Sequence, residues 1–269
     1  MIYFPGMKID SHLHLPVADN LQNLQSQKER LLRELQTCGI DAGIVIPDNI
    51  QGSEIGDLDQ CIELFKDQAD IYLLFPVNIL KKEPEDFNVI SALLQEKQVV
   101  GMKIFPGHDE HFPNDERLDE YVKLCIRFDV PLVIHTGWNI GDPDAAKWND
   151  PRYIVDTAKK YSSLKIVICH YFWPEMEYCY EITRGFNNVF FDTSGLADNE
   201  VRKITGEMVI KDILQRTIDD NPRSVLFGTD YGMCDIGDHI RLIDSLNLID
   251  DVRDMVFFRN AVTLYGLDC

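Results

Sequence analysis

Eight short apolar stretches rich in β-branched and aromatic residues follow one another along the chain: MKIDSHL, DAGIVIP, DIYLLFPV, VVGMKIF, VPLVIH, LKIVICH, NVFFDTS and RSVLFGTD. Between them lie segments whose apolar residues return at helical spacing, such as KERLLRELQTCG, DLDQCIELFKDQ, DFNVISALLQEK, DERLDEYVKLCIRF, PRYIVDTAKKYS and EMVIKDILQRTIDD. Strands that are apolar on both faces need cover on both sides, which is the situation of a parallel strand flanked by helices. Eight strand–helix repeats in 269 residues match the size of a closed (β/α)8 TIM barrel. The structural alternative is an open doubly wound sheet, which would carry a Gly-rich phosphate loop after its first strand; KIDSHLH stands there instead. No Pro/Gly/Ser linker, low-complexity tract or sequence repeat divides the chain, so residues 1–269 read as a single domain, with the irregular tail after residue 236 supplying the last helices.

In such a barrel the C-terminal ends of the strands face the active site, so a polar residue that interrupts an apolar strand there carries information. The first strand ends in His12 and His14, the fifth (PLVIHTG) in His135, the sixth (KIVICHYFW) in His170 and the eighth (VLFGTDYG) in Asp230. On an extended strand residues i and i+2 share a face with Cα atoms about 6.5 to 7 Å apart, so His12 and His14 can aim at one point. Taken singly, each has an ordinary reading: His135 or His170 as a satisfied core histidine, Asp230 as a helix N-cap or turn residue. Four imidazoles and one carboxylate on one axis are an N/O ligand set that suits zinc, with manganese, iron or cobalt less preferred.

Charge narrows the partners. Lys+Arg 26 against Asp+Glu 45 gives a formal net charge of −19, which repels a phosphate backbone, so nucleic acid is not expected as a partner. No apolar run approaches the ~20 residues of a spanning helix, and MIYFPGMKID lacks the cationic, apolar and small-residue regions of a signal peptide. A cytoplasmic protein without a membrane partner is expected; self-association into a homo-oligomer is left open. The seven cysteines are odd in number, scattered and free of any C-x-x-C pair, and read as reduced, mostly buried thiols.

With KIDSHLH, GIDAGIVIP, GMKIFPG, LDEYVKLCIRFDVPLVIHTG, LKIVICH, NVFFDTSG, RSVLFGTDYG and a closing FFRNAVTLYGL, the chain resembles the amidohydrolase superfamily of metal-dependent barrel enzymes. Within it, the chain is most similar to the amidohydrolase-2 group, which also includes α-amino-β-carboxymuconate-semialdehyde decarboxylase. The resemblance implies a divalent metal, zinc first, held by His12, His14, His135 or His170, and Asp230, with both strand-five and strand-six histidines carried as ligands. One ion is favoured and two are left open. It also gives Asp230 a double role as ligand and proton shuttle, and His170 contact with substrate or water.

An ion held by neutral imidazoles lowers the pKa of a water it carries to roughly 7, and Asp230 beside it can take the water's proton and pass it to the leaving group. The expected reaction is hydrolysis of a C–N or C–O bond in an amide, lactone or ester-like small molecule. A non-oxidative decarboxylase on the same scaffold is the nearest alternative, and an inactive metal-binding protein the next. Asp10, two residues before His12, is a candidate to orient an imidazole, with an interior hydrogen bond as the equal alternative. Lys103 in GMKIFPG is read as a catalytic-site cation for a substrate carboxylate; the alternatives are a carboxylated bridge between two metals, as in dihydroorotases, and a lysine extended to the barrel rim. The TatD-type nucleases share a His-x-His start but place a glutamate at the fourth strand, which Lys103 and the −19 charge disfavour. His108, His111, Trp138, Trp148, Phe172 and Trp173 lie in loops after strands four to six and suggest a ring-sized, partly apolar substrate, although residues like Trp148 and Phe172 more often pack loops and residues like His108 and His111 are more often solvated. Asn260 in the closing FFRNA reads as structural.

Overall fold

Apolar runs of the length found here leave no polar face for solvent, and in the computed structural model they pair side by side as eight strands. Residues 6–17, 23–81, 85–139 and 141–268 are described. The strands are β1 (Ile9–Leu13), β2 (Ala42–Val45), β3 (Ile71–Pro76), β4 (Val99–Ile104), β5 (Leu132–Ile134), β6 (Ile166–Ile168), β7 (Val189–Asp192) and β8 (Val225–Leu226). They run in sequential order, every neighbouring pair parallel. The expected (β/α)8 barrel is the architecture observed.

Closure between β8 and β1 continues beyond the two residues of β8. Ser11 N–H donates to the Phe227 carbonyl at 2.9 Å, Asp230 N–H to the His12 carbonyl at 2.9 Å, and His14 N–H to the Tyr231 carbonyl at 2.7 Å. The Phe227 N–H donates instead to the Val256 carbonyl at 3.0 Å. That carbonyl belongs to a π-helical turn, Met255–Arg259, which fills the seam where the ladder opens.

The helices that cover the outside begin with α1 (Leu24–Cys38), α2 (Leu58–Phe65), α3 (Phe87–Gln95), α4 (Asp119–Phe128) and α5 (Pro151–Lys160). They continue with α6 (Met176–Thr183), α7 (Asn199–Thr205), α8 (Glu207–Asp220), α9 (Ile236–Asp244), α10 (Asp250–Asp254) and α11 (Asn260–Tyr265). Part of the chain's acidity serves their starts: Asp57, Asp86, Asp150, Asp198 and Asp235 each cap a helix by accepting a backbone N–H of the first turn. The outward strand side chains and the inner helix faces form the larger core. A second core fills the barrel with Ile9, Ile44, Leu74, Val100, Val133 and Val167 and is sealed below by Phe258, Ala261, Leu264 and Tyr265. Asn260 fixes that seal, donating from Nδ2 to the carbonyls of Pro222 (2.8 Å) and Val225 (2.7 Å) at the start of β8. Its structural role matches the reading from sequence.

Among the described residues no helix is long and apolar enough to cross a membrane. Cys61, Cys125, Cys169 and Cys179 are buried free thiols, and Cys38 and Cys234 are partly buried. Cys269 lies outside the described residues.

Candidate metal centre

The bottom of the barrel is apolar, so the buried polar groups gather at the other end. β1 carries a bulge there: Asp10 pairs with Gly43 but Leu13 with Val45, one residue more on β1 than on β2. His12 within it and His14 just past it are both buried, their rings 5.3 Å apart, and the ring of His170 from the end of β6 stands 5.0 Å from that of His12. Asp230 comes from the turn after β8. Glycine makes the approach of that turn feasible: a Cβ on Gly228 would meet His12 Cβ at 3.0 Å, and one on Gly232 (φ +112°) would meet His14 Cβ at 3.0 Å.

Each of the three imidazoles has its Nδ1 engaged. His12 Nδ1 donates to Asp192 Oδ2 at 2.8 Å, His14 Nδ1 to the Ile46 carbonyl at 3.0 Å, and His170 Nδ1 to the Ser194 carbonyl at 3.1 Å with Ser194 Oγ at 2.9 Å. A nitrogen that faces a carboxylate or carbonyl must carry the proton, which leaves Nε2 as a bare lone pair in all three. Those lone pairs face a carboxylate. Asp230 Oδ1 is 3.4 Å from His12 Nε2 and 3.5 Å from His14 Nε2, and His12, His170 and Asp230 offer donor atoms all within 4.8 Å of one another. His12 Nε2 and Asp230 Oδ1 are buried with no hydrogen-bond partner. Bare nitrogen and carboxylate lone pairs repel one another unless a cation stands between them, so this donor set fits a divalent ion, and its N/O composition fits zinc.

Electrostatics agree. Burial, and after it the Lys103 charge, holds His12 and His14 down to about 3. Burial and then the neighbouring His12 hold His170 down to about 3. The imidazoles are therefore neutral at pH 7, as ligation requires. Burial pushes Asp230 up to about 7, against the pull of Lys103. The backbone is strained at the same places: His170, Tyr171, Phe172 and Asp230 all have left-handed φ, between +54° and +63°. Non-glycine residues adopt that region at a cost and persist in it where the surroundings impose it, commonly at functional sites.

His135 stands beside the group. Its ring is 4.9 Å from that of His170 and 4.5 Å from that of His108, but its Nε2 is bonded to Asn139 Oδ1 at 3.0 Å. Of the strand-five and strand-six histidines, His170 is the one whose donor atom falls in the compact trio. Lys103 is only 1% exposed, with Nζ 2.9 Å from Cys169 Sγ, so it does not extend to the rim and presents no surface to a substrate in this conformation. Asp10 touches no imidazole. Its Oδ1 accepts the His12 and Thr229 N–H groups (3.1 and 3.0 Å) and its Oδ2 the Thr229 hydroxyl (2.6 Å), so it braces the β1–β8 seam. The imidazole-orienting role belongs to Asp192. A carboxylate ending the apolar run NVFFD meets the same strand-end criterion as the four strands singled out from sequence, and that signal was there to find.

Around the mouth, Trp138 lies 6.1 Å from Trp173. Trp148 packs on Phe112 at 4.8 Å and Phe172 on Tyr178 at 6.1 Å, which is loop packing. His108 is exposed, whereas His111 is buried and bonds the Phe112 carbonyl.

The barrel resembles several solved structures. A putative 2-pyrone-4,6-dicarboxylic acid hydrolase from Pseudomonas putida is 12% identical, with 98% of each chain covered and a TM-score of 0.73. A 2,6-dihydroxybenzoate decarboxylase from Rhizobium is 15% identical over 98% of this chain and 99% of that one, with a TM-score of 0.69. An amidohydrolase from Burkholderia multivorans with bound zinc is 14% identical over 97% of this chain and all (100%) of that one, with a TM-score of 0.69. At such identities the likeness is one of fold. No curated protein matches the sequence. The family model described as Amidohydrolase matches residues 9–267, a span that takes in every strand and the whole cluster from His12 to Asp230, and the chain therefore belongs to the amidohydrolase family.

Proposed function

We propose that the protein is a metal-dependent hydrolase that adds water across a C–N or C–O bond of a small organic substrate. The observation that carries this reading is the set of orphaned lone pairs: His12 Nε2 and Asp230 Oδ1, buried and unpartnered, with the free nitrogens of His14 and His170 turned to the same point. A divalent ion, zinc first, would be held by His12, His14, His170 and Asp230, with His135 alongside, and would supply Lewis-acid polarisation of a carbonyl and a more acidic water. Asp230, beside that ion and 3.4 Å from His12 Nε2, is placed to take a proton from the attacking water and return it to the departing atom. Lys103, in the barrel beside the cluster, contributes through its charge, which favours neutral imidazoles. Trp138, Trp173 and His135 at the mouth suit an uncharged ring better than a polyphosphate.

A second reading, non-oxidative decarboxylation, is supported by the shared fold of the Rhizobium decarboxylase. Metal analysis of the purified protein, with a screen of lactones, amides and aromatic acids in ¹⁸O-labelled water, separates the two. One divalent ion per chain and one labelled oxygen in the carboxylate product are expected. Full activity in a metal-free preparation would end the metal-dependent reading, and carbon dioxide without label in the organic product would replace hydrolysis by decarboxylation.

A further inference from the structure

We propose that Asp192 is the positioning residue of this centre, setting the tautomer of His12 and the placement of His170; the inference rests on the reading of His12 and His170 as ligands. Asp192 ends β7, is 1% exposed and uses both oxygens. Oδ2 accepts His12 Nδ1–H at 2.8 Å. Oδ1 accepts the backbone N–H of His170 at 3.1 Å, the backbone N–H of Ser194 at 3.2 Å and the Ser194 hydroxyl at 2.5 Å.

The last of these bonds links the carboxylate to the second histidine. Because the Ser194 hydroxyl gives its proton to Asp192, its oxygen is left as an acceptor, and it lies 2.9 Å from His170 Nδ1. The Ser194 carbonyl at 3.1 Å already requires the proton on His170 Nδ1 and the hydroxyl oxygen adds a second acceptor, while His12 Nδ1 gives its proton to Asp192, so both Nε2 lone pairs stay free. The same carboxylate fixes where His170 stands by holding its main chain in the left-handed turn (φ +58°). One group from β7 thus governs ligands on β1 and β6, two elements that share no ladder.

Asp192 also belongs to a second compact trio, with His12 and Cys169. That trio does not make a rival cation site: Lys103 Nζ stands 2.9 Å from Cys169 Sγ, and the carboxylate is already taken by four donors. Asparagine cannot substitute for Asp192. An amide nitrogen at the Oδ2 place faces His12 Nδ1 donor to donor and drives the ring to its Nε2–H tautomer, which has no lone pair to offer a metal. With the amide turned over, the nitrogen faces three donors at the Oδ1 place.

The test compares wild type, Asp192→Asn and Ser194→Ala, all first stripped of metal. Imidazole tautomers are read by ¹⁵N NMR of the metal-free proteins, and Zn²⁺ affinity by competition with a chromophoric chelator. Wild type should show His12 and His170 protonated at Nδ1. Asp192→Asn should move His12 to the Nε2–H form and weaken Zn²⁺ binding by roughly 10- to 100-fold. Ser194→Ala, which leaves the Ser194 carbonyl and Asp192 in place, should keep both rings protonated at Nδ1 and change binding little. Unchanged tautomers in Asp192→Asn overturn the proposal, whether or not affinity falls, since a merely structural loss would leave the ring protons where they are. If Asp192→Asn does not fold, wild type decides: His12 protonated at Nε2 and not at Nδ1 is the overturning result. Wild type that binds no Zn²⁺ defeats the metal reading itself, while the tautomer measurement still judges Asp192.

Discussion

The two ends of the barrel are built by opposite rules. At the bottom, Phe258, Ala261, Leu264 and Tyr265 close the lumen with apolar contact, and Asn260 donates from its amide to the carbonyls of Pro222 and Val225. At the mouth, buried histidines and a carboxylate converge with lone pairs unsatisfied, on a backbone held left-handed at four non-glycine residues. In barrels of this kind the first end serves stability and the second is where active sites are built. Burial alone does not tell them apart. His239 is as buried as His12, yet its Nδ1 donates to the Asp235 carbonyl at 2.8 Å and its Nε2 accepts the Ala197 N–H at 3.2 Å. The difference between these two histidines is that His12 Nε2 has no partner.

Substitution at each end should break different properties. The largest effect is expected at Asp230. Asp230→Asn should keep the barrel but lower kcat by roughly 10²- to 10⁴-fold, more if ion binding also suffers. Steady-state rates and circular dichroism of the variant check this, and a near-normal kcat would remove Asp230 from the proton path.

At the bottom, Leu264 is 3% exposed among the sealing residues. Leu264→Ala should cost about 2 to 5 kcal/mol of stability in denaturant unfolding, the range for emptying a buried leucine site. Zn²⁺ affinity should stay within about twofold, worth only ~0.4 kcal/mol. A tenfold loss of affinity would show that the two ends are not separable.

A smaller effect is expected from acid. Burial holds His239 down to about 4 against an ordinary 6.5. Between those values the unfolded chain takes up a proton that the folded chain refuses, so this contribution is fully present above pH 6.5 and is lost as pH falls towards 4, about 3 kcal/mol in all. Urea unfolding from pH 7 to pH 4 should show a flatter decline for His239→Gln than for wild type. Parallel curves would mean that this imidazole titrates alike in both states.

Much of the fold and part of the candidate site are legible in the residues. The alternation of strand and helix follows from local rules of period and apolarity, which act within a few residues and survive translation into a barrel; so does the placement of His12, His14, His135, His170 and Asp230 at strand ends. The same rule reaches Asp192, a carboxylate closing an apolar strand. Which imidazoles can bind an ion is a different kind of fact. An imidazole's free nitrogen is decided by whatever lies near 3 Å from its other nitrogen, and for the three clustered rings those partners come from other strands and turns: Ile46 for His14, Asp192 for His12, Ser194 for His170. Asp10 stands two residues from His12 yet turns to Thr229, and Lys103, chemically suited to the rim, is sealed against Cys169. Sequence determined the strand ends that bring ligand-type residues to the mouth. Only the tertiary structure decided which lone pairs remain, because a hydrogen bond 180 residues apart in the chain depends on closing the barrel and not on any local pattern.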